Sequence, residues 1–495
     1  MKLWLFGVLL IILTAGCTQN FDIQNVQKGT DNFFSNGLGN LCSGDECDYY
    51  CYKHSLDCEE YCMNNQQNAM CKERFSFVFD YKIDPTLAPG YAKCYPTTHQ
   101  FYRTGRTFVI DPANPDTMYV SVEYKGLYKS VDGGKTWKQK SDGIRGVRRE
   151  DDRNKPCLGE YFTIKMDPTN PKRLLVPGGA GAGLLNNTYW VGGLQESTDG
   201  GESWHQLAHG WMAAYGLEAV IDPANQRTIY YTTSSFSGEP GVDFAHDPNV
   251  YQAKGIVYKT TDGGRNWEEL QTGFYPQNRG ARLFMNPQDS SHLVLMSFAL
   301  KGGSSPNKTI EPRQQGIAYT KDAGRTWNQM TSLPEGSRAI GDGDISENNF
   351  NHIFASTAAV GGVEPKSFYS LDGETFKETD SHIGFARYDL HDKTGMRLVG
   401  FNIFEWDYGG ENILESMDGG ATWHTLGPWP KEVREEIISI PFDTTATQKV
   451  RMSNIVFHPT QPQTLFITGN FGYVWKSTDN GRNWNVLLGV DKLQD

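Results

Sequence analysis

Ser130-Val-Asp132-Gly-Gly134-Lys-Thr136-Trp137 is one of seven copies of the pattern Ser/Thr-x-Asp-x-Gly-x-Thr-Trp in this chain. One copy, Ser370-Leu-Asp372-Gly-Glu-Thr375-Phe376, is one residue short and ends in Phe. The copies begin 46 to 67 residues apart, a spacing that suits one four-stranded β-propeller blade with its loops. The aspartates of the seven copies are Asp132, Asp199, Asp262, Asp322, Asp372, Asp418 and Asp479.

The residue types in this motif are those of a tight turn. The Asp and Ser/Thr side chains can accept hydrogen bonds from backbone N–H groups, the second Gly tolerates a positive φ, and the Trp can pack between neighbouring blades. We therefore expect the seven aspartates to be structural and not catalytic.

An Asx-Pro turn precedes most of the motifs, as in Asp111-Pro-Ala-Asn114-Pro115. Alternating apolar residues in Met118–Val122 and Tyr230–Thr233 indicate strands. Each blade is predicted to run strand a, Asx-Pro turn, strand b, variable loop, strand c, the Asp motif and strand d. The sequence thus predicts an all-β fold, a single seven-bladed propeller over residues 97–495.

These motifs resemble the Asp-box (BNR) repeat of sialidases, sortilin-type receptors and xyloglucan-cleaving glycosidases, from about residue 98 to the end. Sialidases carry an Arg-Ile-Pro segment that this sequence lacks, so their arginine triad and tyrosine nucleophile are not carried over. The xyloglucan-cleaving enzymes join two propellers, whereas this chain has room for one. Sortilin-type receptors have ten blades, with their cysteine module after the propeller.

The first residues are typical of an export signal. Leu3–Ala15 is apolar apart from Thr14 and is too short to span a bilayer. It leads into Leu13-Thr14-Ala15-Gly16-Cys17, which resembles a prokaryotic lipobox. The prediction is a signal peptide over 1–16, lipidation of Cys17 and a polar linker over 18–41; an ordinary cleaved signal is the alternative. Either predicts an extracytoplasmic protein: a lipoprotein tethered to the cell surface, whose only contact with the membrane is the lipid anchor at Cys17, or a secreted protein.

Eight further cysteines indicate a disulfide framework in an oxidising compartment, because their number is even and six fall within thirty residues. We predict a small, disulfide-rich helical module over 42–96, with the pairing left open. Zinc modules favour C-x2-C pairs with histidines, and the region offers one histidine, His54. No metal or cofactor is therefore expected. The cysteines are Cys42, Cys47, Cys51, Cys58, Cys62, Cys71, Cys94 and Cys157.

The formal net charge of −12 argues against a nucleic-acid partner, which normally requires a basic footprint. The strand order places the Asx-Pro turns and the Asp boxes on one face of the propeller. The long b–c and d–a loops lie on the opposite face. Because loops on a rigid scaffold usually carry function, we expect the ligand site on that loop-rich face.

Four arginines, each at or just before an innermost strand, are candidates for binding an anionic ligand in the channel mouth. The alternative is that each of them pairs with a nearby acid. These arginines are Arg282, Arg338, Arg387 and Arg451.

Acids beside aromatic residues in the loops are candidates for glycoside hydrolysis. The catalytic candidates are Asp243, Asp247, Glu405 and Asp407, and such acids in a surface loop can instead solvate it or bind calcium. Further ligand-binding candidates are His209, Trp211, Tyr215, His246, Trp406 and Tyr408. Two hypotheses follow: a propeller that binds a protein or glycan through its loop-rich face, or a carbohydrate-active hydrolase or lyase that uses the same face.

Overall fold

The computed structural model describes the chain in segments that lie mainly between residues 107 and 489. They are 91–92, 107–122, 126–141, 146–149, 156–158, 160–161, 163–179, 182–184, 187–189, 193–209, 215–234, 257–274, 278–299, 316–333, 340–357, 366–402, 411–435, 437–440 and 443–489. All belong to the second of two compact units, Gly90–Asp495. Cys157 lies in the strand Pro156–Leu158; Cys17 and the other seven cysteines lie outside the described residues.

Seven four-stranded antiparallel blades build a propeller, which confirms the predicted fold. Within each blade the strands a to d follow one another along the chain. Blades 1 to 4 have them at Phe108–Ile110, Met118–Val122, Gly126–Ser130 and Lys138–Gln139; Lys165–Asp167, Asn170–Gly179, Gly193–Ser197 and His205–His209; Tyr215–Ile221, Ile229–Ser234, Val257–Thr260 and Glu268–Glu269; and Asn278–Asn286, Asp289–Ala299, Gly316–Thr320 and Asn328–Gln329. Blades 5 to 7 have them at Ile340–Ile345, Ile353–Thr357, Ser367–Ser370 and Lys377–Glu378; Phe385–Tyr388, Leu398–Phe401, Asn412–Ser416 and His424–Pro428; and Met452–Phe457, Leu465–Gly469, Val474–Ser477 and Asn485–Leu488.

The a–b turn and the Asp box of a blade are bonded to each other. In blade 1, Asp111 Oδ1 accepts the backbone N–H groups of Ala113 and Asn114 at 2.8 and 3.2 Å. The N–H of Gly133 in the box donates to Asp116 O in the turn at 3.0 Å, and five other blades have an equivalent bond. These turns therefore share one face, the lower face, and the b–c and d–a connections lie on the opposite, upper face.

The core of the propeller lies between the blades. The box tryptophan Trp423 of blade 6 packs edge-on against Phe354 of blade 5, with ring centroids 5.8 Å apart. At the junction of the last and first blades, the rings of Phe466 and Phe108 are 5.2 Å apart. Blades 1 and 7 each have four strands of their own, so the ring closes without a shared blade.

The connections on the upper face contain secondary structure that the sequence analysis treated as irregular loop. Among the described residues, three antiparallel strand pairs form there, and a single helical turn precedes the last of them. The elements outside the blades are Tyr91–Ala92, Gly146–Arg149, Pro156–Leu158, Glu160–Tyr161, Ala182–Leu184, Asn187–Tyr189, the helix Lys431–Glu435, Ile437–Ile440, Asp443–Lys449 and the 3-10 turn Asn470–Gly472. Within the described segments, no helix combines the length and apolarity that crossing a membrane requires.

Candidate functional site

The Asp-box carboxylates are engaged by their own turns. In blade 1, Asp132 Oδ1 accepts the N–H of Thr136 at 2.9 Å and its Oδ2 accepts the Thr136 hydroxyl at 2.6 Å. Ser130 Oγ donates to Asp132 and accepts the N–H of Gly134. These bonds, chiefly those from Thr136, lower the pKa of Asp132 to about 2. The same backbone bond recurs at Asp199, Asp262, Asp322, Asp418 and Asp479, so each of these carboxylates is bonded within its own turn.

The degenerate box of blade 5 keeps the turn in a shorter form. Asp372 Oδ1 accepts the N–H groups of Glu374 and Thr375 at 2.8 and 2.6 Å, and these bonds lower its pKa. Phe376 takes the place of the tryptophan and is buried. A ring without a polar N–H therefore suffices at this position.

Two of the four candidate arginines converge on one carboxylate inside the propeller. Arg282 donates from Nε and Nη2 to Asp342 Oδ1 at 3.0 and 2.8 Å. Arg387 donates to both oxygens of Asp342, and its Nε donates to Asn454 Oδ1 at 2.8 Å. Both arginines are thus bonded to an acid of another blade.

The ion cluster joins innermost strands of different blades. Four members of this cluster occupy the same position in their blades, four residues before the first residue of the a–b turn. They are Glu218 of blade 3, Arg282 of blade 4, Asp342 of blade 5 and Asn454 of blade 7. Arg387 of blade 6 lies two residues before the first residue of its turn, and its long side chain spans the offset. Burial opposes ionisation of Asp342, but Arg387 and Arg282 outweigh it and hold the pKa of this aspartate below its usual range.

A cavity of about 550 Å³ lies beneath this cluster, between the innermost strands of all seven blades. It extends to the prolines of the a–b turns, Pro112, Pro168, Pro223 and Pro287. Its volume lies in the range of about 300–1,000 Å³ that is typical of small-molecule sites. Because those prolines belong to the lower face, the cavity lies at the end of the propeller opposite to the loops that the sequence analysis favoured.

The channel acids were missed in the sequence analysis, although they leave a signal. Ile340-Gly-Asp342-Gly-Asp344-Ile345 puts two acids in a strand whose counterparts in the other blades hold at most one acid each. Asp342 is bonded by the arginines, and Asp344 Oδ2 accepts the N–H of Tyr388 at 2.9 Å. Acids in an innermost strand have to face the channel or a neighbouring blade, which is where these two lie.

Most of the other candidate residues lie outside the described residues: Asp243, His246, Asp247, Arg338, Glu405, Trp406, Asp407, Tyr408 and Trp211. His209 ends strand d of blade 2, and Tyr215 begins strand a of blade 3. Arg451 directly precedes strand a of blade 7, where its backbone N–H donates to Asn470 Oδ1 at 2.9 Å. Among the described residues, no group of three or more His, Cys, Asp or Glu side chains is placed to hold a metal ion.

Comparison with known proteins finds similarity to a receptor family and to polysaccharide-degrading enzymes. Residues 192–359 match the family model described as Sortilin, neurotensin receptor 3 (Sortilin-Vps10). A crystal structure of a Niastella koreensis GH74 enzyme superimposes with a TM-score of 0.44 at 19% identity, covering 78% of this chain and 59% of that one.

Xyloglucanase Xgh74A of Acetivibrio thermocellus is 22% identical over 357 residues, which is 65% of this chain and 38% of that protein. A xyloglucanase of Paenibacillus sp is 19% identical over 352 residues, or 64% of this chain and 30% of its own length. The chain thus spans less than two fifths of the length of either relative.

Proposed function

We propose that this chain is an extracytoplasmic propeller that binds a polysaccharide through the loops of its upper face. The observation that carries the proposal is the 357-residue similarity to a xyloglucanase, which extends over 65% of the chain. Xyloglucan, a neutral polymer, is therefore the first ligand to test. The predicted export signal, with lipidation at Cys17 and disulfides in the cysteine-rich module, belongs to the same proposal.

The arrangement of the described residues supports a site on the upper face. On the lower face, the oxygens of the Asp-box carboxylates accept hydrogen bonds from their own turns. They therefore have little remaining capacity to accept hydrogen bonds from a glycan. Trp211, Trp406 and Tyr408 in the upper connections have the flat apolar faces that stack on sugar rings. We assign these aromatics to glycan contact.

Hydrolysis of the bound glycan is the second candidate, favoured because the relatives named above are xyloglucanases. It needs two carboxyl groups that flank the scissile bond, about 5–5.5 Å apart for a retaining enzyme and about 6.5–9.5 Å apart for an inverting one. Asp243, Asp247, Glu405 and Asp407 are the acids that we assign to this role. In the enzyme, one of these acids protonates the leaving oxygen. The other either attacks the anomeric carbon of the sugar as a nucleophile or activates a water molecule that does so.

Affinity electrophoresis in gels containing xyloglucan, combined with a reducing-sugar assay, separates the two candidates. We expect xyloglucan to retard the protein, and the double substitution Trp406→Ala/Tyr408→Ala to weaken binding by about tenfold or more, equivalent to at least 1.4 kcal/mol. Met417→Ala, an exposed apolar position on the lower face, is the matched control and should bind as the wild type does.

Release of reducing ends that Glu405→Gln/Asp407→Asn abolishes would establish the hydrolase. Retardation without release would establish the binding protein. Absence of both retardation and release, across neutral and anionic polysaccharides, would contradict the proposal and direct attention to a protein ligand.

A further inference from the structure

Asn480 in the Asp box of blade 7 is followed by Gly481, and this is one of two Asn-Gly pairs in the chain, the other being Asn36-Gly37. Asparagine deamidates most readily before glycine, because glycine leaves the following amide nitrogen unhindered. That nitrogen attacks the side-chain carbonyl carbon and displaces ammonia. Water then opens the resulting succinimide ring to aspartate or isoaspartate. The blade 7 box therefore carries a chemically reactive pair.

The folded box holds the reacting atoms of this pair apart. Asn480 has a φ of 66°, in the left-handed region, where a residue turns the following amide nitrogen away from its own Cβ. The N–H of Gly481 donates to Ser477 Oγ at 2.8 Å, and this bond retains the proton that the nitrogen has to lose before it attacks. The N–H of Asn480 donates to Gln463 O at 2.8 Å and ties the box to the a–b turn. Closure to a succinimide is therefore blocked while the box is folded.

The side chain of Asn480 is held by the neighbouring blade. Arg397 of blade 6 donates from Nη2 to Asn480 Oδ1 at 2.9 Å. The same guanidinium donates from Nε to Glu415 Oε1 at 2.7 Å and from Nη1 to Asp389. Arg397 is buried, and its three acceptors fix its orientation. The contact between blades 6 and 7 thus immobilises the carbonyl group that would be attacked.

The other boxes show what the turn requires at the position of Asn480. All six of their residues there have positive φ, so the requirement is the left-handed conformation. Isoaspartate does not meet this requirement, because it adds a methylene carbon to the main chain. A box that contains it therefore cannot form the turn again. The six residues are Gly133, Gly200, Gly263, Ala323, Gly373 and Gly419.

We propose that Asn480 is a latent modification site, a deamidation site that the folded propeller blocks and that opening of blade 7 exposes. The reaction consumes one water, releases ammonia and leaves aspartate or isoaspartate, without an oxidant or a cofactor. Because the isoaspartate box does not refold, the modification marks molecules in which the ring has opened. The site lies on the lower face and is independent of glycan binding on the upper face.

Peptide mass spectrometry of the full-length protein, incubated at mildly alkaline pH with and without guanidinium chloride, tests the proposal. In the denaturant, Asn480 should deamidate at a rate similar to that of Asn36, the internal reference for an unfolded Asn-Gly pair. Without denaturant, we expect deamidation of Asn480 to be slower by about tenfold or more, since the box has to open first. Arg397→Lys cannot reproduce the three bonds of the guanidinium and should raise the native rate about fivefold, as expected for the loss of one hydrogen bond.

Refolding gives a second readout. After incubation in denaturant, the fraction of wild type that regains native tryptophan fluorescence should fall as isoaspartate accumulates at Asn480. Asn480→Gly has the residue found in five other boxes and should refold fully after the same incubation. The proposal is overturned if Asn480 reacts as fast in the native as in the denatured wild type, if it does not react in the denaturant, or if the modified wild type refolds as fully as Asn480→Gly. The comparison of native and denatured wild type decides the matter even if Arg397→Lys does not fold.

Discussion

The aspartates of the Asp boxes and the acids of the innermost strands belong to the same blades, yet they are held by different partners. Asp418 in the blade 6 box accepts the N–H and hydroxyl of Thr422, four residues further along. Asp342 in the channel is bonded by Arg282 and Arg387, which lie 60 and 45 residues away. The first kind of contact shapes one turn, whereas the second connects three blades.

Replacement of each carboxylate by its neutral isostere should separate these two roles. Asp342→Asn leaves two buried guanidinium groups without their anion, so we expect the free energy of unfolding to fall by about 3–5 kcal/mol. Asp418→Asn keeps most of the turn's acceptors and should cost about 1 kcal/mol. Urea unfolding followed by tryptophan fluorescence measures both. Equal losses in the two variants would contradict the distinction between local and inter-blade carboxylates.

This difference in range also explains what the sequence could predict. The blade order, the a–b turns and the Asp boxes follow from contacts within a few residues, so the motif around Asp132 predicted them and the structure confirms the fold. In blade 7, strand d follows the box tryptophan Trp484 directly, at Asn485–Leu488, as the predicted blade order requires. A periodic repeat makes local structure predictable, because the same turn residues recur in each blade.

The channel could not be predicted in the same way. Arg282, Asp342 and Arg387 come from three blades, and only the closed ring brings them to one point. The arginines stood out in the sequence as candidates for an external anion, but their acid was not identified. Glu218 carried no motif at all, since its position is defined by its distance from the a–b turn and by the neighbouring blade.

The boxes also contribute to the ring through their glycines, and blade 3 offers a matched pair. Gly263 and Gly264 both have positive φ, 79° and 96°. A Cβ on Gly263 would meet nothing within 4 Å, whereas one on Gly264 would lie 2.4 Å from Leu207 Cδ1 in blade 2. Gly263→Ala should cost about 1–2 kcal/mol for the backbone alone. Gly264→Ala should cost about 1–3 kcal/mol more, because it overpacks the blade interface.

Chemical denaturation of the two alanine variants isolates the inter-blade contribution of the box, because the backbone cost is shared. In a Leu207→Ala background, Gly264→Ala should lower the free energy of unfolding by less than it does in the wild type, because the overlap with Leu207 is removed. The loss caused by Gly263→Ala should be the same in both backgrounds. Indistinguishable unfolding free energies for Gly263→Ala and Gly264→Ala would show that the box stabilises its own blade only.

The smallest change in stability is expected at the a–b turn of blade 7, where a histidine, His458, replaces the acid. His458 Nδ1 accepts the N–H groups of Thr460 and Gln461 at 3.2 and 3.1 Å, as Asn286 Oδ1 accepts that of Gln288 in blade 4. An acceptor nitrogen has to be unprotonated. Burial first, and then the positive charges of Lys476 and His391, lower the pKa of His458.

Because the folded state favours the neutral ring, the stability that His458 provides is complete above the ordinary histidine pKa of about 6.5 and is lost as the pH falls below it. His458→Asn supplies an acceptor that does not titrate. We compare the free energy of unfolding of His458→Asn with that of the wild type at pH 7.5 and at pH 5. On lowering the pH, we expect this difference to shift in favour of the variant by an amount on the order of 1 kcal/mol, measured as the difference in urea midpoint at each pH. His292 and His382, whose pKa values burial also lowers, are present in both proteins and cancel. If the stability of the wild type and that of His458→Asn change with pH in parallel, the turn does not depend on the neutral imidazole of His458 as an acceptor.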